Sequence, residues 1–312
     1  MVGGRTAAKR PLTADPGLYG PGSEAWRLNR EAALLLGAGP RALLLQLAHP
    51  LVAEGVDQHS DFRADPWARL AGTLRSYLRI VYGTTAQARG EIRRLNGLHG
   101  AVTGPVRDPG AAARFGPAYQ ARDPELSLWV HATLIDSTLA TVDAWQEPLS
   151  HDRRARFYIE TLPVGRLFGI PPSVLPADID AFDAWMAAQW APGGPVHPTA
   201  TARDLAWTIL HPPLAPLASS GSIGARLGAA AGPVASLLDQ LPAGMARWVL
   251  VPALGLLPDP VRREYGFPWG ARERLLSLWL VEAWRAWRPV VPAAWRWFPQ
   301  ARAADARVAG AG

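Results

Sequence analysis

Two histidines occupy helical positions at which a core helix normally presents leucine or valine. Residues Thr85 to Thr103 are predicted to form a helix because helix-breaking glycine and proline residues bound the segment. In this helix His99 belongs to an apolar stripe whose members are separated by four, three, four and three residues: Ala88, Ile92, Leu95, His99, Val102. His131 has the same place in a second stripe, on a helix predicted from Asp123-Pro124 to about Trp145. Both imidazoles should therefore face the core, where they could ligate a metal or move protons.

An arginine and a threonine on a third predicted helix could belong to the same site as the two histidines. Arg69 and Thr73 lie four residues apart, and so on one face, in a helix that Asp65-Pro66 should begin. A single inward histidine is more often a core side chain bonded to a carbonyl, but two of them with an Arg/Thr pair on three successive helices favour a site. The spacing alone leaves both interpretations open.

The amino-acid composition excludes several classes of cofactor and metal site. The chain has 312 residues, 49% hydrophobic and 19% charged, which is typical of a globular protein. It has no cysteine, which excludes disulfides, thiolate-ligated haem, iron–sulfur clusters, covalent c-type haem and Cys-based zinc sites. The net charge is +6, but Lys9 is the only lysine and no nucleic-acid motif occurs, so we predict no nucleic-acid partner.

Helical periodicity dominates and strand-like alternation is almost absent, so we predict an all-α fold with a single large helical domain. Residues 107–119 should form a loop. The predicted organisation has five parts: a flexible arm at 1–20, a helical core domain at 21–215, a Gly/Ser-rich loop at 216–235, a Trp/Arg-rich helical part at 236–300 that packs on the core, and a flexible tail at 301–312.

Six of the fourteen tryptophans lie near the C-terminal end, interleaved with arginine: Trp269, Trp279, Trp284, Trp287, Trp295, Trp297. This mixture suits a membrane interface, although the same indoles could pack back onto the helical body. No signal peptide is visible and the apolar runs are short, so we expect a cytoplasmic protein, with peripheral membrane contact left open.

Several functional motifs are absent or fail in detail. Gly37, Gly39 and Ala42 fit a dinucleotide-binding turn, but Pro40 removes an amide that would face the pyrophosphate and no strand precedes the turn. The sequence has no G-x-S-x-G, P-loop, H-E-x-x-H, EF-hand or Glu-x-x-His motif. Among metal chemistries, haem held by one histidine in an all-α body agrees best with these residues.

The sequence resembles the MpaB/rubber-oxygenase family over about residues 24–190. The resemblance rests on LLLQLAHPLVAEGVDQHSDF (43–62), DPWARLAGT (65–73), LNGLHGAVTG (95–104) and YQARDPELSLWVHATLIDS (119–137), and more weakly on FYIETLPVGRLFGIPPSVLP (157–176) and VRREYGFPW (261–269). It implies a helical fold with a globin-like core, haem b, and dioxygen-dependent attack on an apolar alkene. The implied partners are dioxygen and a small apolar substrate.

Carried over by position, His99 resembles the family's axial iron ligand, and Arg69 and Thr73 resemble residues on the distal side of the haem. His131 matches a histidine near the haem with a structural or supporting role. Glu54 lies close to a proposed acid/base carboxylate. The sequence departs from the rubber-cleaving enzymes at Gly72, where they have a basic residue, and this departure argues against polymer cleavage more than against haem binding.

Two other functions remain in competition. One is a non-enzymatic helical module that binds a lipid or isoprenoid at a membrane surface through the Trp/Arg-rich part. The other is a haem-free enzyme that uses His49, His59 and Glu54 as acids and bases. No oligomeric state is predicted.

Overall fold

The computed structural model describes residues 14–60, 65–210, 248 and 250–310, and within them a single two-stranded sheet accompanies the helices. The predicted all-α class is confirmed. The helices are α1 (Glu24–Leu28), a 3-10 turn (Ala32–Leu35), α2 (Ala38–Ala48), α3 (Pro50–His59), α4 (Pro66–Tyr82), α5 (Thr85–Gly100), α6 (Pro109–Phe115), α7 (Pro124–Trp145), α8 (His151–Leu167), α9 (Ile179–Gln189), α10 (Ala200–Leu210), α11 (Val251–Gly255), α12 (Asp259–Tyr265), α13 (Ala271–Trp287), α14 (Ala293–Arg296) and α15 (Pro299–Ala309).

The same local chemistry begins three of these helices. Asp65, Asp108 and Asp123 each accept a hydrogen bond from a backbone amide of the first turn of α4, α6 and α7, and proline follows each of them directly. Such a cap satisfies an amide that the helix leaves without a partner, and proline at the first position removes another. α5 begins with a reciprocal capping box between Thr84 and Gln87. The predicted starts of α4 and α7 are confirmed.

α2 and α7 form the centre of the main core. Leu44, Leu45 and Leu47 of α2 and Trp129 and Leu139 of α7 are buried in one cluster with residues from most other helices. Burial of such side chains typically contributes about 1.5–3 kcal/mol each, so this contact holds the scaffold on which the other helices pack.

A second core joins the two ends of the described chain. Trp26 is fully buried, its indole N–H donates to Asp305 at 2.8 Å, and its carbonyl accepts from the Tyr82 hydroxyl at 2.9 Å. Ala301 and Ala304 of α15 are buried in the same cluster. The prediction of a flexible tail at 301–312 is thus wrong for residues up to 309, because the small alanine side chains let α15 pack closely on α4.

The segment after α5 also differs from the prediction. α5 ends at Gly100, and strand β1 (Thr103–Pro105) pairs antiparallel with β2 (Ala118–Gln120), with α6 between them in the predicted loop. The ladder has three pairs, so neither strand is long enough to show alternation.

Residues 14–20, which fall within the predicted arm, pack on the body. Asp15 accepts hydrogen bonds from the Thr85 amide and hydroxyl at 2.8 and 2.7 Å, and Tyr19 contacts three hydrophobic clusters. Residues 1–13 and the predicted loop at 216–235 lie outside the described residues.

The first helices of the described C-terminal part, α11 and α12, pack on the main core next to α2. The Tyr265 hydroxyl of α12 donates to the Leu44 carbonyl at 2.7 Å, and Leu254, Leu257 and Val261 belong to the main core. α13, by contrast, has no fully buried residue, although Arg285 donates to the Asp143 carbonyl of α7. Among the described helices, none is by itself both long and apolar enough to cross a membrane. Ala32–Ala48 and Pro50–His59 meet the length and composition requirement only as a pair, and the two segments are bent by 102° relative to each other.

Candidate functional site

Arg69 lies on α4 and His99 on α5. The two helices pack side by side, and the Ser76 hydroxyl of α4 donates to the buried Glu91 carboxylate of α5 at 2.6 Å. Burial lowers the pKa of the His99 imidazole, and the positive charge of Arg69 lowers it further. The charge of Arg69 thus influences the imidazole although the two residues are thirty positions apart in the sequence, and their joint role at a site stays a prediction.

Arg69 and His99 lie in a recess of the surface. The surrounding protein lowers the pKa of the Arg69 guanidinium by desolvation, yet its side chain is solvent-exposed. His99 is half-buried rather than enclosed in the core as the stripe predicted. A side chain that is desolvated and still reached by solvent lines a concave surface, because a flat surface would not surround it with protein.

Thr73 and Gly72 complete this face of α4. The Thr73 hydroxyl donates to the Arg69 carbonyl one turn earlier, at 3.0 Å. At Gly72 an added Cβ would have no neighbour within 4 Å among the described residues. The position that carries a basic residue in the rubber-cleaving enzymes therefore borders open space here.

His131 lies deep between α7 and α8. Burial lowers the pKa of its imidazole to about 4, so the ring is neutral near pH 7, and the Thr161 backbone acts weakly in the opposite direction. Its Nε2 is buried and has no hydrogen-bond partner among the described residues. A Cβ at Gly165 would approach that nitrogen to 3.1 Å, so the glycine makes room for the ring. An unsatisfied buried nitrogen is uncommon in native proteins and indicates a site that a further group completes.

Two tyrosines that the sequence analysis did not select extend the same interior. Burial raises the pKa of Tyr77 to about 12 and that of Tyr19 further, and yet part of each side chain is reached by solvent. The Tyr77 hydroxyl donates to Asn29 at 2.5 Å. Both side chains are therefore surrounded by protein and are still partly reached by solvent.

Three of these side chains share one face of α4. Arg69, Thr73 and Tyr77 are successive residues at a spacing of four, which spans about 12 Å along the helix. This spacing could have identified Tyr77 from the sequence. Tyr19 could not be found in that way, because it packs here through contacts between distant parts of the chain.

α8 packs against α5. Val164 is buried with Ile92 of α5, and the Asn96 amide donates to the Leu167 carbonyl at 2.9 Å. This contact is largely aliphatic.

Glu54 has a different environment. Its buried carboxylate accepts hydrogen bonds from the Gln58 side chain at 2.8 Å and from the backbone amides of Arg107 and Asp108 at 3.2 and 3.3 Å. These partners belong to α3 and to the loop between β1 and α6. The carboxylate thus holds that loop, and its acid/base role stays a prediction of the resemblance.

The two histidines of the haem-free alternative have individual structural partners. His49 Nδ1 accepts from the Leu51 amide at 3.3 Å and so caps α3, while desolvation lowers the pKa of this buried imidazole to about 4. His59 Nε2 lies 2.9 Å from the Thr103 carbonyl. Neither contact is with Glu54. Elsewhere in the described ranges, no three His, Asp or Glu side chains converge as they would in a protein-only metal centre.

The protein is all-α, with an exposed cation, Arg69, on the helix next to that of the half-buried His99, and with a neutral imidazole, His131, whose Nε2 is buried. Residues 26–293 of the 312 match the family described as ER-bound oxygenase mpaB/B'/Rubber oxygenase, catalytic domain. The chain belongs to this family of oxygenase catalytic domains, as the sequence motifs predicted. Neither the curated proteins nor the solved structures contain a match.

Proposed function

We propose that this protein is a haem b-dependent oxygenase that uses dioxygen to oxidise an apolar alkene, with isoprenoids as candidate substrates. The family supports oxygenase chemistry and a substrate together with dioxygen. The observation that carries the more specific proposal is the packing of α4 against α5, the helices of Arg69 and His99, with the Arg69 charge lowering the pKa of the His99 imidazole.

The side chains of the candidate site fit a haem. A ligating histidine must be neutral, and desolvation together with the Arg69 charge favours neutral His99. Open space borders Gly72, and the buried His131 Nε2 has no partner in the described part of the chain. His99 would hold the iron, with Arg69, Thr73 and His131 around the group. A haem bound there supplies the redox chemistry that activates dioxygen.

The side chains of the protein contribute electrostatics. Negative charge develops on oxygen as dioxygen is reduced, and the Arg69 guanidinium is a permanently charged donor that can stabilise it. Partial desolvation of Arg69 strengthens that interaction relative to bulk water. The Thr73 hydroxyl, which now donates to the Arg69 carbonyl, can turn to provide a second donor.

Aliphatic side chains of α5 and α8 favour an apolar substrate. Ile92 and Val164 are buried in one cluster, with Leu95 and Leu167 partly buried against it. An aliphatic surface of this kind binds an alkene by removing apolar area from water, and it keeps bulk water away from the oxidised carbon.

Spectroscopy of the full chain tests the proposal. The protein is expressed with haem supplied, purified, and examined for a Soret band. Wild-type protein should show the band and His99→Ala should lose it, whereas the matched variant His151→Ala, which changes an exposed histidine at the start of α8, should keep it. Arg69→Ala should keep the band and lose alkene-dependent oxygen consumption.

Colourless wild-type protein, or an unchanged band in His99→Ala, would reject haem ligation by His99. A normal rate of oxygen consumption in Arg69→Ala would reject its role in stabilising charge and leave the ligation intact. The two parts of the proposal can therefore fail separately.

A second candidate function is the non-enzymatic lipid or isoprenoid module. It is favoured by one observation: of the nine exposed large apolar side chains in the described ranges, six lie between Leu275 and Trp295. Haem-free protein that binds apolar ligands without consuming oxygen would support this function instead. We propose a cytoplasmic location for either function, with peripheral membrane contact.

A further inference from the structure

An arginine-rich recess of about 220 Å³ lies where α1 meets the region after α13. We call it the arginine recess, and its charged lining consists of Arg27, Arg30, Arg153, Arg288, Arg296, Glu31 and Glu147. These residues come from four separate stretches of sequence, so the recess exists only in the folded protein. None of them belongs to the proposed haem site.

Two buried glutamates hold the arginines in place. Glu31, with 4% of its side chain exposed, accepts from Arg288 at 2.9 Å and from Arg296 at 2.7 Å. Glu24, equally buried, accepts from Arg153 at 3.0 Å. These ion pairs to buried carboxylates restrict the positions of the guanidinium groups at the recess.

Positive charge remains in excess after this pairing. Five arginines line the recess, and the carboxylates around them are Glu24, Glu31 and Glu147, which leaves two positive charges unbalanced. A cluster of like charges in a recess raises the local concentration of anions.

Arg30 is the least satisfied of the five. Its guanidinium lies 4.3 Å from the centre of the Trp297 ring, and its Nε is buried without a hydrogen-bond partner among the described residues. Among the described residues Arg30 makes no ion pair, whereas each of the other four arginines does. A buried donor without a partner is costly, and an anion in the recess would satisfy it.

The surface beside the recess is apolar. Trp287 and Trp295 directly precede Arg288 and Arg296 in the sequence, and 66% and 64% of these indoles are exposed, with Val290 exposed between them. Along α13, Leu275, Leu278 and Trp279 continue the exposed apolar surface. Residues 271–296 contain five arginines and two glutamates. An isolated anion site needs no such surroundings, but a lipid head group attached to acyl chains does.

We infer that the arginine recess binds the phosphate group of anionic phospholipids at a bilayer surface, with Trp287, Val290 and Trp295 in the interfacial layer. Arginine forks match phosphate oxygens in geometry and charge. Indole rings prefer the boundary between head groups and acyl chains. The inference is independent of haem and would place the protein where apolar substrates are concentrated.

Vesicle flotation of the full chain tests this assignment. One set of vesicles contains phosphatidylcholine alone and a second contains phosphatidylcholine with phosphatidylglycerol. Wild-type protein should float with the second set only, and Arg30→Gln should weaken its binding about fivefold, the contribution typical of one arginine near an anionic surface. Arg93→Gln on the exposed face of α5 removes the same charge elsewhere and should bind like wild type.

A second pair of variants tests the apolar contact. Trp295→Ser should weaken binding to the anionic vesicles, whereas Trp207→Ser, which changes an indole of α10 that is 63% exposed, should not. If Arg30→Gln is poorly folded, the comparison of the two tryptophan variants still tests whether this surface binds the membrane. Circular dichroism of each variant establishes that it is folded.

Three outcomes would overturn the assignment. Absence of flotation with either set excludes the membrane. Equal losses for Arg30→Gln and Arg93→Gln would mean that overall charge, rather than the recess, drives binding. Calorimetric binding of inorganic phosphate without flotation would assign the recess to a free phosphate compound instead of a lipid.

Discussion

Arg69 and His99 share one desolvated environment, in which burial and then the positive charge of Arg69 lower the pKa of the imidazole. Removal of that charge should therefore raise the pKa of His99 in Arg69→Gln. NMR titration of the histidine ring protons measures the change without any cofactor. Arg93→Gln, which removes a charge from the exposed face of α5, should leave the His99 titration unchanged. Equal His99 titrations in wild type and Arg69→Gln would mean that the two side chains are not neighbours in solution.

Gly72 provides a second test of the same recess. Glycine inside a helix is about 1 kcal/mol less favourable than alanine, and a Cβ at this position meets no neighbour in the described part of the chain, so Gly72→Ala should raise the free energy of unfolding by about that amount. Gly72→Lys should be tolerated equally well, and because it adds a cation one turn from Arg69 it should lower the pKa of His99 further. Urea unfolding and NMR titration measure the two effects. A large loss of stability in both variants would show that the space beside Gly72 is filled.

Much of the site geometry could be predicted from local sequence. Asp65-Pro66 and Asp123-Pro124 fix the beginnings of α4 and α7, and once a helix has a beginning its period of 3.6 residues determines which side chains share a face. Arg69 with Thr73, and His131 on α7, follow from that rule alone. The end of α5 was predicted less well, since a three-residue strand shows no period.

Long-range contacts could not be predicted in this way. Asp305 bonds to Trp26 across most of the chain, and this contact lets an Ala/Arg segment form α15 where composition alone indicated a flexible tail. The arginine recess has the same origin, because Glu31 and Arg288 are neighbours only after folding. Periodicity determines faces of helices, but it does not specify which faces meet.

Protonation of His49 should make the protein less stable in acid. Desolvation lowers its pKa to about 4 from an ordinary value of 6.5, so between these values the unfolded chain binds a proton that the folded protein does not. The contribution of neutral His49 to the free energy of unfolding is thus fully present above pH 6.5. It is lost as the pH decreases toward 4, which lowers the free energy of unfolding by up to about 3 kcal/mol. His49→Asn keeps a side-chain acceptor for the Leu51 amide and should reduce this pH dependence. Urea unfolding across the range measures it, with exposed His151→Asn as the control. Identical pH profiles for wild type and His49→Asn would contradict the prediction.

Arg41 should be the most sensitive charged residue of the scaffold. From α2 its buried guanidinium donates to Asp136 at 2.5 Å and Ser137 at 2.9 Å on α7, and to the Leu256 carbonyl at 2.7 Å. Arg41→Met should lower the free energy of unfolding by about 3–5 kcal/mol, because it leaves the Asp136 carboxylate without its cation in a desolvated place. Arg41→Lys should recover only part of this loss, since one ammonium group cannot reach both α7 and the Leu256 carbonyl.

Urea unfolding of these variants measures the losses, and Arg89→Met on the exposed face of α5 is the matched control, with an expected change within about 0.5 kcal/mol. If the double variant Arg41→Met/Asp136→Leu regains stability over Arg41→Met, the unpaired carboxylate is the cause of the loss. An equal loss in the single and double variants would instead assign the effect to the hydrogen bonds with Ser137 and Leu256. In either case the contact joins α2, α7 and the residue after α11, and α7 is the helix that carries His131.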